Sequence, residues 1–528
     1  MHSASAEKRG LRILPLLFSI GLLLLLFAGS YHYFQYFIDP DGVNYLTIAR
    51  RYATGDYLRA VNGLWSPFSP WLIALAMRQG IDPVTAAHFI NLGAAVFALC
   101  GMFFLFRRFR VPDKIVNAFM LVLPVFLLYS IYKQLFDDLW QVGFLLFYLL
   151  LLLSKDFLHR WWKWILCGVL ITMAFYAKTY SFYFALLHLP VTVFLLSKKE
   201  NRRFKKSIGL LVMVAVVFLM LVSPWLNLMH EKYGSWTISN AGALNTSWSL
   251  KGHKTLKDGM TYLVPPSYPD GPSNMEDPSI NEGYLNTFLN NFPGSVIKQI
   301  GRSGYAVVQG IYVTSEISIL MLGIIVATAI FIFFKKDQRL FDDDHKVLLW
   351  ASLIMPLGYF MLHFEARYIW LLAYVSLIFA SVWLAAFRDY INNRRAFNIV
   401  LAMVVFSYIA YPVYDLKNLF RNGEREYQLS EQIKALHLNG AFTSNSDPDI
   451  ESIVAYRTGM PYYTIEFAPP SEKELLQEIR KYNIKYYFYY VKPYDAVSVQ
   501  MKNEQGNPFP EVTGGKIEGL KIFLIDDR

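Results

Sequence analysis

The run ILPLLFSIGLLLLLFAGS (residues 13–30), followed closely by DPDGVNY (residues 39–45), decides how this chain is read. The first stretch is apolar and long enough to cross a bilayer, which takes roughly 18 residues. The second sets two carboxylates, Asp39 and Asp41, just beyond that span. Lys8, Arg9 and Arg12 precede the span, so its leading end reads as cytoplasmic and the acidic pair as lying on the outer face.

The pattern repeats along the chain. Further apolar spans are expected at about 84–106, 115–131, 139–153, 164–177, 182–196, 208–228, 317–334, 347–362, 369–387 and 397–413. Every second connection is basic: Arg107, Arg108, Arg110 and Lys114; Lys155, Arg160 and Lys163; Lys198, Lys199, Arg202, Arg203, Lys205 and Lys206; Lys335 and Lys336; Arg388, Arg394 and Arg395. Cytoplasmic loops carry that bias. About 11 transmembrane helices with the N-terminus inside leave the tail outside. The expected fold is therefore an all-α polytopic membrane bundle with amphipathic outer-face helices and a small α/β domain at the end. Residues 1–415 read as the transmembrane domain, including outer loops 31–71 and 229–316, and 416–528 as a soluble extracytoplasmic domain. Removal of the first span as a signal peptide, at Ala28-Gly29-Ser30, is the alternative, but its apolar core exceeds the usual 7–15 residues.

Composition agrees. The 528 residues are 55% hydrophobic and 17% charged, against about 25% charged in soluble domains. The net charge of +10 is spread over alternate loops, which argues against nucleic acid as a partner. Cys100 and Cys167 fall in apolar runs, so neither a disulfide framework nor a thiolate site is indicated. No Gly-rich phosphate loop stands out.

Sidedness sorts the acidic groups. Asp342-Asp343-Asp344 falls on the cytoplasmic side and reads as a solvated loop. Asp137 and Asp138, at the turn between the third and fourth spans, share the outer face with Asp39 and Asp41. Each of these could serve a site or simply cap a helix. Residues 45–57 have the pattern of a helix lying along the interface, and Trp65-Ser66-Pro67-Phe68-Ser69-Pro70-Trp71 suits a bent re-entry into the bilayer. The 229–316 loop contains Trp236, Trp248, Lys251, His253, Arg302 and the sequon Asn245-Thr246-Ser247, and is long enough to cover a site. In the tail, helices are expected at 426–438, 450–457 and 472–482, and strands at 441–444, 484–491 and 521–525.

Asp41-Gly42 with Tyr45 and Ile48-Ala49, then Gly55-Asp56-Tyr57 and Pro67-x-x-Pro70, resembles the first outer loop of the GT-C class of membrane glycosyltransferases. The protein O-mannosyltransferases and lipid A aminoarabinose transferases are the most similar members. Ala177-Lys178-Thr179, Ser223-Pro224-Trp225 with Tyr233-Gly234, and Glu365-Ala366-Arg367-Tyr368 extend the resemblance over about residues 10–415. Many relatives carry Asp-Glu at the first motif, where this chain has Asp41-Gly42.

The resemblance implies a polyprenyl-phosphate-linked sugar as donor, a lipid, glycan or protein as acceptor, and inversion at the anomeric carbon. It implies Asp41 as general base, with Asp39 positioning the acceptor or sharing a cation. Asp137, Asp138 and Tyr45 would bind acceptor or cation, and Lys178, Arg367, Arg302, Lys251 and His253 would bind donor phosphate. No cofactor is certain; a divalent cation held by Asp39, Asp41 and Asp138 is the candidate. The implied location is a bacterial inner membrane, with site and tail on the periplasmic side. A transporter or flippase of a lipid-linked substrate, or a non-catalytic envelope assembly protein, is the competing reading.

Overall fold

The computed structural model describes residues 13–135, 137–201, 204–251, 262–281, 292–335, 340–361, 364–391, 393–466, 471–492, 500–503 and 505–525. The first half holds α1 (Leu14–Phe34), α2 (Pro40–Thr54), α3 (Tyr57–Ala60), α4 (Phe68–Met77), α5 (Pro83–Arg108), α6 (Asp113–Lys133), α7 (Asp138–Leu152), α8 (Trp161–Ala177), α9 (Tyr180–Lys199) and α10 (Ile208–Tyr233). There follow α11 (Ala241–Lys251), strand β1 (Leu263–Val264), α12 (Pro278–Asn281), α13 (Phe292–Ser315), α14 (Met321–Ile330), α15 (Asp343–Ile354) and α16 (Leu357–Met361). A 3-10 turn, Ala366–Ile369, leads into α17 (Trp370–Ile391), then α18 (Arg394–Ser407) and α19 (Ala410–Leu419). Among the described residues, seven helical stretches are long and apolar enough to cross a membrane, accompanied by four shorter apolar helices.

Each expected span overlaps a helix, but two are broken. The 347–362 span divides into α15 and α16 around Pro356, and the 397–413 span divides into α18 and α19. Proline has no amide hydrogen and its ring clashes with the carbonyl four residues earlier, so Pro356 and Pro412 each stop a helix from running through. The 229–316 loop also departs from expectation, because α13 fills 24 residues of it. Its exposed Ile297, Ile300, Val308, Ile311 and Tyr312 give it a broad apolar face.

Charges gather at the two ends of the bundle. At one end, the Asp344 carboxylate accepts from Arg108 (2.7 Å) and Lys199 (2.8 Å), joining α5, α9 and α15. Asp342 caps α15, accepting from the amides of Asp344 and His345. The acidic triplet is thus no solvated loop: its last member is buried between two basic connections that sequence distance hides. Asp39, Asp41, Asp138, Lys178 and Arg367 meet at the opposite end.

That end is roofed by α2, and here the expected interfacial helix is corrected. Residues 42–49 of α2 and Arg51 are buried rather than laid against lipid. The cover comes from α4, from the 262–281 strap and from the tail. Arg51 forms a buried ion pair with Glu276 and also reaches the exposed Asp270 (3.3 Å), while Lys232 pairs with Asp277 (2.7 Å). Trp65 donates to the carbonyl of Met275 (2.9 Å).

The tail comprises α20 (Glu424–Lys434), strand β2 (Phe442–Ser444), α21 (Pro448–Thr458), strand β3 (Thr464–Ile465), α22 (Glu472–Lys481), strand β4 (Tyr486–Tyr490) and strand β5 (Leu520–Leu524). The order β2-β4-β5 has a parallel first pair and an antiparallel second pair. β3 instead pairs antiparallel with β1, which stitches the strap to the tail.

Replacing Asp344 with Asn removes the charge shared by Arg108 and Lys199. Both cations are partly exposed, so solvent softens the loss. We expect destabilisation of about 1–2 kcal/mol, read as a lowered melting temperature of the detergent-solubilised protein.

Candidate active site

The site begins with the cap of α2. The two oxygens of Asp39 accept from the amides of Gly42 and Leu135, both at 3.2 Å. Pro40 opens the helix with its φ already set, and Gly55 closes it in the left-handed region at φ 87°. Gly42 is required by this arrangement: a Cβ there would stand 2.8 Å from Asp39 Oδ1 and 3.5 Å from Leu135 Cβ. A larger side chain at this position would collide with the cap. Burial and the neighbouring Asp41 push the Asp39 carboxyl up to about 7, while the Leu135 and Gly42 amides and Arg367 pull it back. Asp39 therefore orients α2, and its oxygens are already engaged.

Asp137 has a similar task. It accepts from both the amide (2.7 Å) and the hydroxyl of Ser69, capping α4 across the hairpin. Burial pushes its carboxyl well above the usual range, opposed first by the two Ser69 donors.

Asp41, in the first turn of α2, faces the end of α17. Its Oδ2 accepts from Arg367 Nη2 at 3.1 Å. The guanidinium also pairs through Nε with Glu365 Oε2 at 2.8 Å, and through Nη2 with Glu365 Oε1 at 3.1 Å. Tyr368 donates to the same Glu365 oxygen (3.2 Å). Lys178, in the short connection between α8 and α9, pairs with Asp138 and lies 4.1 Å from the centre of the Tyr368 ring. Tyr368 in turn stacks on Tyr359, with ring centres 4.4 Å apart, and Tyr359 packs on Tyr180. Tyr180 can approach because Gly358 has no Cβ, which would stand 2.3 Å from the Tyr180 ring.

The electrostatics are balanced around two adjacent cations. Burial raises the Asp41 carboxyl above its ordinary value; Arg367 and Lys178 oppose this and Glu365 reinforces it. Burial also lowers Lys178, against the pull of Asp138. Tyr45, one turn along α2 from Asp41, is buried and senses Asp137, Asp138 and Asp41, which hold its phenol protonated. A partly exposed carboxylate beside a clustered Arg–Lys pair can take up a proton while the cations hold an anion.

The structure thus brings together Asp41, Tyr45, Asp138, Lys178 and Arg367, and turns Asp39 and Asp137 to capping. Arg302 lies on α13 and is half-buried there, and Lys251 ends α11. His253 lies outside the described residues. As for the candidate cation set of Asp39, Asp41 and Asp138, among the described residues no three His, Cys, Asp or Glu side chains group to hold a metal ion. Asp39 is turned to amides, Asp41 to Arg367 and Asp138 to Lys178. Sequence reading quoted Glu365 without a role and did not single out Tyr359. The first opens the Glu365-Ala366-Arg367-Tyr368 motif, whereas the second carries no local signal.

Residues 65–227 match the family model described as dolichyl-phosphate-mannose-protein mannosyltransferase. That segment includes Asp138 and Lys178, with Asp41 and Arg367 outside it. No curated protein sequence matches. Among solved structures, the fold is similar to ArnT from Cupriavidus metallidurans bound to undecaprenyl phosphate. The identity is 12% and the TM-score 0.57, over 97% of this chain and 98% of that one. ArnT from the same organism in the apo state matches with 12% identity and a TM-score of 0.51, over 90% and 92% of the two chains.

Placing a methyl group at position 42 tests the cap. Gly42→Ala should push Asp39 off its amides and cost about 1 kcal/mol, read as a lower melting temperature that Asp39→Ala does not lower further. The family match over residues 65–227 and the likeness in fold to ArnT over nearly the whole length fall on the same chain.

Proposed function

We propose that this chain transfers a sugar from a polyprenyl-phosphate donor to an acceptor hydroxyl at the outer face of a bacterial inner membrane, with Asp41 as general base. The observation that carries this reading is the Asp41–Arg367 ion pair beside Lys178, at one end of the bundle. The donor's chain would lie in the bilayer and its phosphate against Arg367 and Lys178. The undecaprenyl phosphate of the similar ArnT structure supports that choice of carrier.

In the transfer, the acceptor hydroxyl attacks the anomeric carbon as its proton passes to the Asp41 carboxylate. A new C–O glycosidic bond forms, the bond from the anomeric carbon to the phosphate oxygen breaks, and the electron pair stays on that oxygen. Arg367 and Lys178 stabilise the charge gathering on the leaving phosphate. Attack opposite the leaving group inverts the anomeric centre. Tyr45 and Asp138 border the acceptor side, and the tail with the strap forms a soluble cap over α2.

A competing transporter would place ionisable groups near the bilayer midplane. The contacts that define this site lie instead at a bundle end, which favours the enzyme.

Two outcomes test the reading, using purified protein in lipid with a panel of polyprenyl-phosphate sugars and following release of polyprenyl phosphate. Asp41→Asn should lower transfer at least about 100-fold while leaving the protein monodisperse; transfer retained would remove Asp41 from this role. The base must be ionised, and burial raises its pKa, so kcat/KM should fall as pH drops through a value above the usual ~4 for aspartate. An acid limb at or below that value would contradict a base whose carboxyl is raised.

A further inference from the structure

The geometry points to Glu365 as a positioning residue, which holds the Arg367 guanidinium so that the donor phosphate can draw it off Asp41 and thereby release the base. This rests on the function proposed above and adds a coupling between donor binding and base release.

The argument comes from an asymmetry around one side chain. Arg367 is 8% exposed, and its planar fork is divided between two carboxylates. Glu365 takes it with both oxygens, at 2.8 Å to Nε and 3.1 Å to Nη2, and is itself fixed by the Tyr368 hydroxyl at 3.2 Å. Asp41 takes it with one oxygen, at 3.1 Å to Nη2. One carboxylate with both oxygens close to the guanidinium, a hydrogen bond at Nη2 and an ion-pair contact at Nε, attracts it more than one with a single oxygen in reach. An arriving phosphodiester, also anionic, therefore displaces the weaker partner and leaves the Glu365 grip intact.

Position matters as much as strength. Asp41 is 36% exposed and Glu365 30%, so an anion can reach the guanidinium beside either. Lys178, over the Tyr368 ring at 4.1 Å, supplies a second cation to the same anion. Without donor, Arg367 ties up the Asp41 oxygen that must accept a proton. With donor, the guanidinium turns to phosphate and that oxygen is freed. After transfer, Asp41 is neutral and no longer competes, so Arg367 stays on the leaving phosphate until the proton departs. Renewed ionisation of Asp41 then restores the competitor and favours product release. Linkage requires the relation to run both ways: ionised Asp41 weakens phosphate binding by the factor with which phosphate weakens the Asp41–Arg367 pair. The Asp41 environment is consistent with this division, since Arg367 stabilises its charge and Glu365 opposes it.

The test compares wild type, Asp41→Asn, Glu365→Gln and Glu365→Asp in lipid nanodiscs, with polyprenyl phosphate as the binding probe and the transfer assay alongside. Asp41→Asn should bind polyprenyl phosphate at least about threefold more tightly than wild type although it transfers little. Glu365→Gln should raise the donor KM about tenfold, change kcat less, and move the acid limb of kcat/KM to lower pH, because Arg367 then rests on Asp41 alone. Glu365→Asp should recover part of the donor affinity. The inference is overturned if Asp41→Asn binds the probe no better, or if Glu365→Gln loses kcat with donor KM and acid limb unmoved. A Glu365→Gln protein that does not fold leaves the Asp41→Asn binding comparison to decide. Failure of wild type to transfer any sugar would sink the proposed function, whereas the binding comparison reads the coupling without turnover.

Discussion

The two hydrogen bonds accepted by Asp39 set the rest of the site. One holds the first turn of α2 and the other holds Leu135 at the end of the neighbouring hairpin. Together they bind the outer helix to the bundle where Asp41 must meet Arg367. A single residue, Pro40, separates the cap from the proposed base, so any tilt of α2 is passed directly to the Asp41 carboxylate. Asp137 repeats the device on α4 through Ser69. This end of the bundle is thus organised by carboxylates that cap, and the proposed chemistry falls to Asp41, which faces Arg367.

Much of this was legible from the chain. Apolar runs and alternating basic connections marked where helices lie, and the short motifs around Asp41, Lys178 and Arg367 met at one end as their sidedness required. What could not be read was the division of labour among carboxylates. Asp39, Asp41, Asp137 and Asp138 look alike in sequence. Whether each caps or serves chemistry depends on a backbone amide at Leu135, a hydroxyl at Ser69 and cations at Lys178 and Arg367, all distant from it or on other elements.

The same limit explains the other departures. Asp344 looked solvated because its partners, Arg108 and Lys199, stand far away along the chain. α2 carries an interfacial pattern because its apolar face is real; what covers it arrives from residues 262–281 and from α21. Helix breaks at Pro356 and Pro412 had a local signal in the proline itself, but uninterrupted hydropathy masked it.

The short ladder between Leu263–Val264 and Thr464–Ile465 carries a consequence for assembly. It joins segments some two hundred residues apart, and contacts of such separation form slowly because the intervening loop must close first. The roof over the catalytic helix is therefore among the last parts to form. During synthesis the acidic motif emerges first and stays uncovered until nearly the whole polypeptide has been made, so a chain interrupted after the bundle would carry every candidate catalytic group and still lack the lid that immobilises them.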